Sequence, residues 1–567
     1  MSDLPPYPPL DPCNYDLIVV GTGVSESVLA AAASSSGSSV LHLDPNPFYG
    51  SHFASLSLPD LTSFLHSNSV SPPPPLPPPP SPPGHDLLSV DLVSRSLYSS
   101  VEISSFESEI LEEHSRRFNV DLCGPRVVFC ADESINLMLK SGSNNYVEFK
   151  SIDASFVGDS SGELRSVPDS RAAIFKDKSL TLLEKNQLMK FFKLVQQHLA
   201  ESDDTTLKIS EEDMETPFVD FLAKMRLPPK IKSIILYAIA MLDYDQDNIE
   251  TYRGLLKTKE GLDQLALYIK SMGRFSNALG ALIYPIYGQG ELPQAFCRRA
   301  AVKGSIYVLR MPITAVLLDK ASELTLDCCR LETGGYKGVR LASGQEIFSQ
   351  KLILDPCITV GLESMSSLTD QQKETLQVFV PKAMSSKDKV ARAICIIKGS
   401  VKTDVSNALI IYPPKSLFPE QLTAIRVLQL GSGLAVCPAD MHVLYLSTLC
   451  DNDDQGKEAL LSAMSTLIGL PVPENLQSDS VVENDTAEAK PTVLWRALYV
   501  QELVKGEFGG TISSAPSPDG NLNYNEIVES AVKLYEQLKG REELFKEKTS
   551  PENTAEEEND VGEDIED

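Results

Sequence analysis

The stretch Tyr15–Tyr49, YDLIVVGTGVSESVLAAAASSSGSSVLHLDPNPFY, restricts the fold more than any other part of the chain. Leu17–Val20 is a continuous apolar run, as a strand buried on both faces requires. Gly21 and Gly23 predict a tight turn in which backbone approaches backbone. Ser25–Ser36 is rich in Ala and Ser and predicts a helix that packs closely on a sheet. Val40–Leu43 returns as a parallel strand, and Asp44 ends it where a cofactor ribose would be held. The order is that of a Rossmann-type opening, which places the chain in the α/β class.

The motif departs from a dinucleotide fingerprint at its third glycine position, where Glu26 stands. A carboxylate at a helix N-terminus suits the helix dipole. It also stands where a pyrophosphate would sit. Gly21, Gly23, Glu26 and Asp44 therefore read as a vestigial motif, a scaffold kept for its shape, with no cofactor expected.

The 567 residues suffice for two or three domains. No run of about 18 uncharged apolar residues is present, so no helical membrane span is predicted. MSDLPPYPPLDP carries neither a basic region nor an apolar signal core, so secretion is not expected, and scattered cysteines fit reduced thiols in a cytosol. The ten cysteines contain no C-x-x-C pair and the seven histidines no metal-ligand spacing, so no metal is expected. A net charge of −28 argues against nucleic acid and against resting on an anionic membrane, and is compatible with a basic protein partner.

Along the chain, residues 1–167 read as the first part of a large Rossmann-like domain, with a Pro-rich loop at 60–84. Ser71–Gly84, SPPPPLPPPPSPPG, is either a stiff polyproline II spacer or a ligand for an SH3-like or profilin-like groove. Phe156–Pro168 predicts a hairpin. Residues 168–283 read as an all-helical insert. Its first helix, Ser179–His198, is expected to bury Leu180, Leu183, Leu188, Phe191, Phe192 and Val195, and Ile231–Leu242 is apolar nearly all round. Such an insert either fills its own core or opens a groove for an apolar ligand, and spacing favours a filled core. Residues 284–545 return to the large domain through seven short strand-like runs from Ile306 to Thr448, a late strand at Val493–Val500 and an amphipathic helix at Tyr524–Leu538. Residues 546–567 are an acidic tail of disordered composition.

Tyr284–Ala301, YPIYGQGELPQAFCRRAA, combines a glycine turn with a helix start. Glu291, Gln294 and Arg298 fall at i, i+3 and i+7 and share one face, which by spacing alone is an ordinary solvated one. The chain has no nucleophile elbow, no P-loop, no H-E-x-x-H and no zinc cluster, so no catalytic residue is expected. It reads as a binding scaffold rather than an enzyme.

The stretch YDLIVVGTGVSESVLAAAASSSGSSVLHLDPNPFYG, together with YPIYGQGELPQAFCRRAAVKG, resembles the Rab escort protein and Rab GDP-dissociation inhibitor superfamily. Weaker likeness runs through FNVDL, NNYVEFKSIDASFV, the LDP at Asp355 and WRALYV. The resemblance implies a large domain like that of FAD-dependent oxidoreductases but without flavin, and a smaller helical domain. It also implies binding of GDP-bound Rab GTPases on a platform of Tyr49, Glu291, Gln294 and Arg298, and shelter for their geranylgeranyl groups between the small-domain helices. The proline insert, the long segment after Ser386, the extended C-terminal region and the spelling GQGELPQ…CR lean to the escort branch. That branch presents unprenylated Rab to the Rab geranylgeranyltransferase α/β heterodimer and then delivers it to membranes. The inhibitor branch, which extracts prenylated Rab, and a flavin oxidoreductase are the alternatives. After NPFYG the chain reads SHFAS, where a second glycine is common in the superfamily.

Overall fold

The computed structural model describes residues 8–69, 87–168, 180–199, 209–247, 255–278, 280–319, 335–361, 368–376, 389–469, 490–540 and 542–545. The proline run Ser71–Gly84 and the acidic tail lie outside the described residues. The opening motif folds as expected. Strand β1 (Asn14–Val20) leads through the glycine turn into helix α1 (Val24–Ser35) and on to strand β2 (Val40–Asp44). β1 and β2 pair in parallel, Leu17 opposite Val40, and Leu17–Val20 are all buried.

Among the described residues, nine strands form the first sheet. β1 lies between β2 and Glu346–Leu354, parallel to both, and Ile306–Leu309 extends the parallel edge beside β2. Ile512–Ser514 adds in parallel to the far end of Glu346–Leu354. A second sheet of eight strands runs from the expected hairpin, Ala154–Gly158 with Leu164–Ser166, through four strands between Lys389 and Cys450 to Thr492–Glu502 and Tyr98–Ser105. The strand-like runs from Ile306 to Thr448 thus divide, the early ones joining the first sheet and the later ones building the second.

The proline loop begins later than composition suggested. Leu58–Ser69 is a helix, α2, with Leu58, Leu61, Phe64 and Leu65 buried. Those four positions recur on one helical face, a period that outweighs the Ser- and Pro-rich surroundings.

The helices Leu182–Leu199, Phe218–Lys224, Pro229–Ser233 and Thr258–Ser271 close on a common core. Pro229–Ser233 runs on as a π-helix, Ile234–Ile239, every residue of which is buried. This core is continuous with one face of the second sheet, where Ile394, Ile411 and Leu428 meet the helices' apolar side chains. In the first of these helices Leu188, Phe191 and Val195 are buried as expected, but Leu183 is 69% exposed beside Leu182 at 78%. Among the described residues no helix is long and apolar enough to cross a membrane.

Two further helices close over the first. In α3 (Glu291–Val302), Cys297 Sγ lies 3.2 Å from the Ser27 hydroxyl of α1. In α4 (Asn525–Lys539), the Ile527 carbonyl accepts the Ser25 hydroxyl at 3.0 Å. The Ala30–Ala33 run lets both helices approach, and all four alanines are buried.

Leu65→Ala, which empties a fully buried site, is expected to lower unfolding free energy by about 2–5 kcal/mol. Leu182→Ala is expected to change it by less than about 0.5 kcal/mol. Urea titrations followed by circular dichroism separate the two.

Candidate functional site

The glycine turn is held by side chains of the chain itself. Gly21 has φ +95, and a Cβ there would meet Asp355 Oδ2 at 2.9 Å, so only glycine fits. The Thr22 amide and hydroxyl donate to Asp44 Oδ2 at 2.9 and 2.6 Å. The Asn46 amide and side-chain NH2 donate to Asp44 Oδ1 at 2.8 and 2.9 Å. Asp44 is fully buried, and burial pushes its carboxyl up to about 6 although the Thr22 and Asn46 bonds oppose this. Its oxygens are thus occupied from within, and the position that would hold a ribose is closed.

Glu26 was expected to stand as a carboxylate facing the helix dipole. It is instead 3% exposed, and burial first, then the neighbouring Asp355 charge, raise it to about 8. It is therefore chiefly a neutral acid at pH 7. Its carboxyl folds back over the turn: a Cβ on Gly23 would lie 2.6 Å from Glu26 Oε2. The mouth of the turn is filled and Asp44 is saturated, so the residues present do not fit a dinucleotide.

Behind this turn lies a polar cluster that no spacing in the sequence announced. His52 Nε2 is 3.0 Å from Cys357 Sγ and 3.4 Å from Asp355 Oδ1, and all three residues are buried. His52 Nδ1 lies 2.8 Å from the Tyr98 hydroxyl, and the Ser51 hydroxyl donates to Asp355 Oδ2 at 2.7 Å. Burial opposes charge on His52, but Cys357, Tyr98 and Asp355 together hold it well above the usual imidazole range. Burial likewise opposes charge on Asp355, and His52, Ser51 and the Cys357 amide outweigh it and hold the carboxyl low. The only trace in the sequence is the close pair Asp355 and Cys357, because His52 lies some 300 residues earlier.

On the surface nearby, Tyr49 and α3 come together. The Tyr49 ring is half-buried and meets Tyr307 edge-on at 6.0 Å between centroids. Gly50, at φ +103, donates its amide to the Thr22 hydroxyl at 2.8 Å, which anchors the turn carrying Tyr49. Along α3, Glu291 and Gln294 are half-buried and Arg298 is exposed, while Leu292, Phe296 and Ala300 point into the core. Burial raises both the Tyr49 hydroxyl and the Glu291 carboxyl, and the Arg298 guanidinium pulls each back, which puts both within range of one charge. A phenol, a carboxyl, an amide and a guanidinium thus share one surface. Tyr287 (57% exposed) and Val302 (65%) add apolar surface before and at the end of α3.

The start of α3 is set by buried Asp121 from the FNVDL stretch. Its Oδ1 accepts the Ser55 hydroxyl at 2.6 Å and the Gln289 amide at 2.9 Å, and its Oδ2 accepts the Tyr284 hydroxyl. Gly290 in turn donates to the Ser55 hydroxyl at 2.8 Å.

A sequence profile of the family described as "GDP dissociation inhibitor" matches residues 12–76 and 84–335. A second profile, "RAE1/2 domain I, C-terminal region", matches residues 390–507. The chain is 86% identical to Rab escort protein 1 of Arabidopsis thaliana, over 100% of both chains. It is 34% identical to Rab proteins geranylgeranyltransferase component A of Drosophila melanogaster, over 63% of this chain and 64% of that one. A crystal structure of Rab GDI from Plasmodium falciparum shares the fold, with a TM-score of 0.63 at 18% identity, covering 94% of this chain and 99% of that one.

Glu26 gives the turn a pH signature. Its carboxyl is raised in the folded state, so the unfolded chain releases this proton first as pH climbs. Relative to Glu26→Gln, the wild type is expected to lose roughly 2–5 kcal/mol of stability between pH 4.5 and 8 and to level off above that. Paired urea titrations across that range check it, and a pH-independent difference would mean that Glu26 is charged throughout.

Proposed function

The chain belongs to the GDP dissociation inhibitor family, and we propose that it serves as an escort for newly made Rab GTPases. It binds the unprenylated, GDP-bound Rab, presents it to the Rab geranylgeranyltransferase heterodimer, keeps the lipidated product in solution and delivers it to membranes. The observation that carries this reading is the 86% identity to an escort protein across the whole chain. The match of residues 390–507 to RAE1/2 domain I favours the escort branch over the inhibitor branch. The occupied turn at Gly21–Glu26 disfavours a flavin oxidoreductase.

In this reading Tyr49, Glu291, Gln294 and Arg298 form the Rab-binding platform. Arg298 is the exposed member and grips a carboxylate on the partner; Glu291 pairs a basic residue; Tyr49 offers ring and hydroxyl from an anchored turn. The chain itself makes and breaks no bond, and catalysis belongs to the transferase. The lipid lies among the helices of 168–283. Half-buried Met189, Phe192, Met214, Met225, Leu267 and Met272 surround their core, and flexible methionines let such a rim part around a chain. Burying a prenyl group releases about 0.8 kcal/mol per methylene, ample to part that rim. The protein works in the cytosol and meets membranes only on delivery.

The test is reconstitution of this protein with unprenylated Rab, transferase and geranylgeranyl diphosphate. Rab prenylation is expected to require the chain, and prenylation without it would refute the escort role. Arg298→Ala and Tyr49→Ala are each expected to weaken Rab–GDP binding about 10- to 100-fold, read by calorimetry, with unchanged melting temperature. Unchanged affinity in either variant would remove that residue from the platform.

A further inference from the structure

We propose that His52, Asp355 and Cys357 form a binding site for one divalent cation of the zinc class, just behind the glycine turn. Three different ligand types converge there, with their ligand atoms within 4.8 Å of one another. Tetrahedral zinc bonds of about 2.0–2.3 Å set neighbouring ligand atoms roughly 3.3–3.6 Å apart. His52 Nε2 is already 3.4 Å from Asp355 Oδ1 and 3.0 Å from Cys357 Sγ, so the thiol needs to move back by about half an ångström.

The surroundings are those of a built site. A ligating imidazole ordinarily engages its other nitrogen with a fixed partner, and a ligating carboxylate is itself hydrogen-bonded. Here the Tyr98 hydroxyl lies 2.8 Å from His52 Nδ1, and the Ser51 hydroxyl donates to the far oxygen of Asp355 at 2.7 Å. The Cys357 amide donates to Asp355 Oδ1 at 2.9 Å and holds the two ligands in register. One sulfur, one imidazole nitrogen and one carboxylate oxygen select zinc over magnesium or calcium. The charge also closes: a thiolate and a carboxylate balance a dication, so no net charge is left in a buried place. On binding, the Cys357 thiol and the His52 imidazolium each give up a proton to solvent, His52 binds as neutral imidazole, and water takes the fourth position. His52, Asp355 and Cys357 are 6%, 5% and 8% exposed, so the cluster lies just below the surface and an ion can reach it. The ion would clamp the turn that carries Tyr49 to the loop after Glu346–Leu354, joining positions 305 residues apart.

The experiment uses the full chain, stripped with a chelator, re-equilibrated with zinc and gel-filtered, with metal counted by plasma mass spectrometry. About one equivalent is expected, and cobalt(II) in place of zinc is expected to give a thiolate-to-cobalt charge-transfer band. Cys357→Ser should lose both, while Cys450→Ser, which alters a cysteine outside the cluster, should keep both. Wild-type protein with no bound metal and no cobalt band would overturn the proposal, as would a Cys357→Ser variant that is folded and binds like the wild type. If Cys357→Ser does not fold, His52→Gln, which removes a ligand and keeps every cysteine, is expected to lose the band, and a folded His52→Gln that keeps it would overturn the proposal.

Discussion

A single buried carboxylate, Asp121, ties together the parts that position Tyr49 and α3. It accepts from Ser55 on the early turn and from Tyr284 and Gln289 on the turn before α3, and its own amide donates to Tyr445 of the second sheet at 2.9 Å. Burying such a group is costly, and its carboxyl still sits near 6 despite three hydrogen bonds. The cost is offset because each donor would otherwise be buried without a partner. Tyr49 and α3 are far apart in sequence, and this carboxylate fixes the position of one turn against the other.

The same principle governs the volume that a nucleotide takes in related architectures. Polar side chains fill it, and they answer one another. Asp44 is saturated by Thr22 and Asn46, and Glu26 closes over its own turn. Arg126 is wholly buried between the rings of Phe53 and Tyr524, with Asp519 as its ion partner. The parallel sheet keeps its geometry while its crevice becomes part of the protein's interior. The rim, where Tyr49 and α3 meet solvent, stays outside this filled volume.

Much of this was legible from residues because it rests on local pattern. Leu17–Val20 could only be a doubly covered strand, and the Ala30–Ala33 run could only admit close neighbours. The missing third glycine announced an altered turn, but Glu26 gave no sign that its carboxyl would be raised, which depends first on its burial by the packed fold and then on Asp355 reaching it from the far half of the chain. Helix α2 was hidden because the proline run beside it dominates local composition, although Leu58, Leu61 and Leu65 carry a helical period. Leu183 was misplaced because it falls on the solvent side of the first turn, while Leu180 before the helix and Leu188 within it face the core. The face of Glu291, Gln294 and Arg298 was visible as a face, yet spacing cannot tell a solvated stripe from one that meets a partner. The His52, Asp355 and Cys357 cluster left only the close pair Asp355 and Cys357, since tertiary folding alone brings His52 to them.

The first sheet draws its parallel strands from both ends of the chain: β1 and β2 lie within the first 44 residues, and Ile512–Ser514 and α4 complete the arrangement near residue 540. Such long-range pairing folds slowly and leaves apolar edges open meanwhile. On the ribosome, β1 therefore waits for its second neighbour until Glu346–Leu354 has emerged, and α1 waits for α4 until residue 525 and beyond are synthesised.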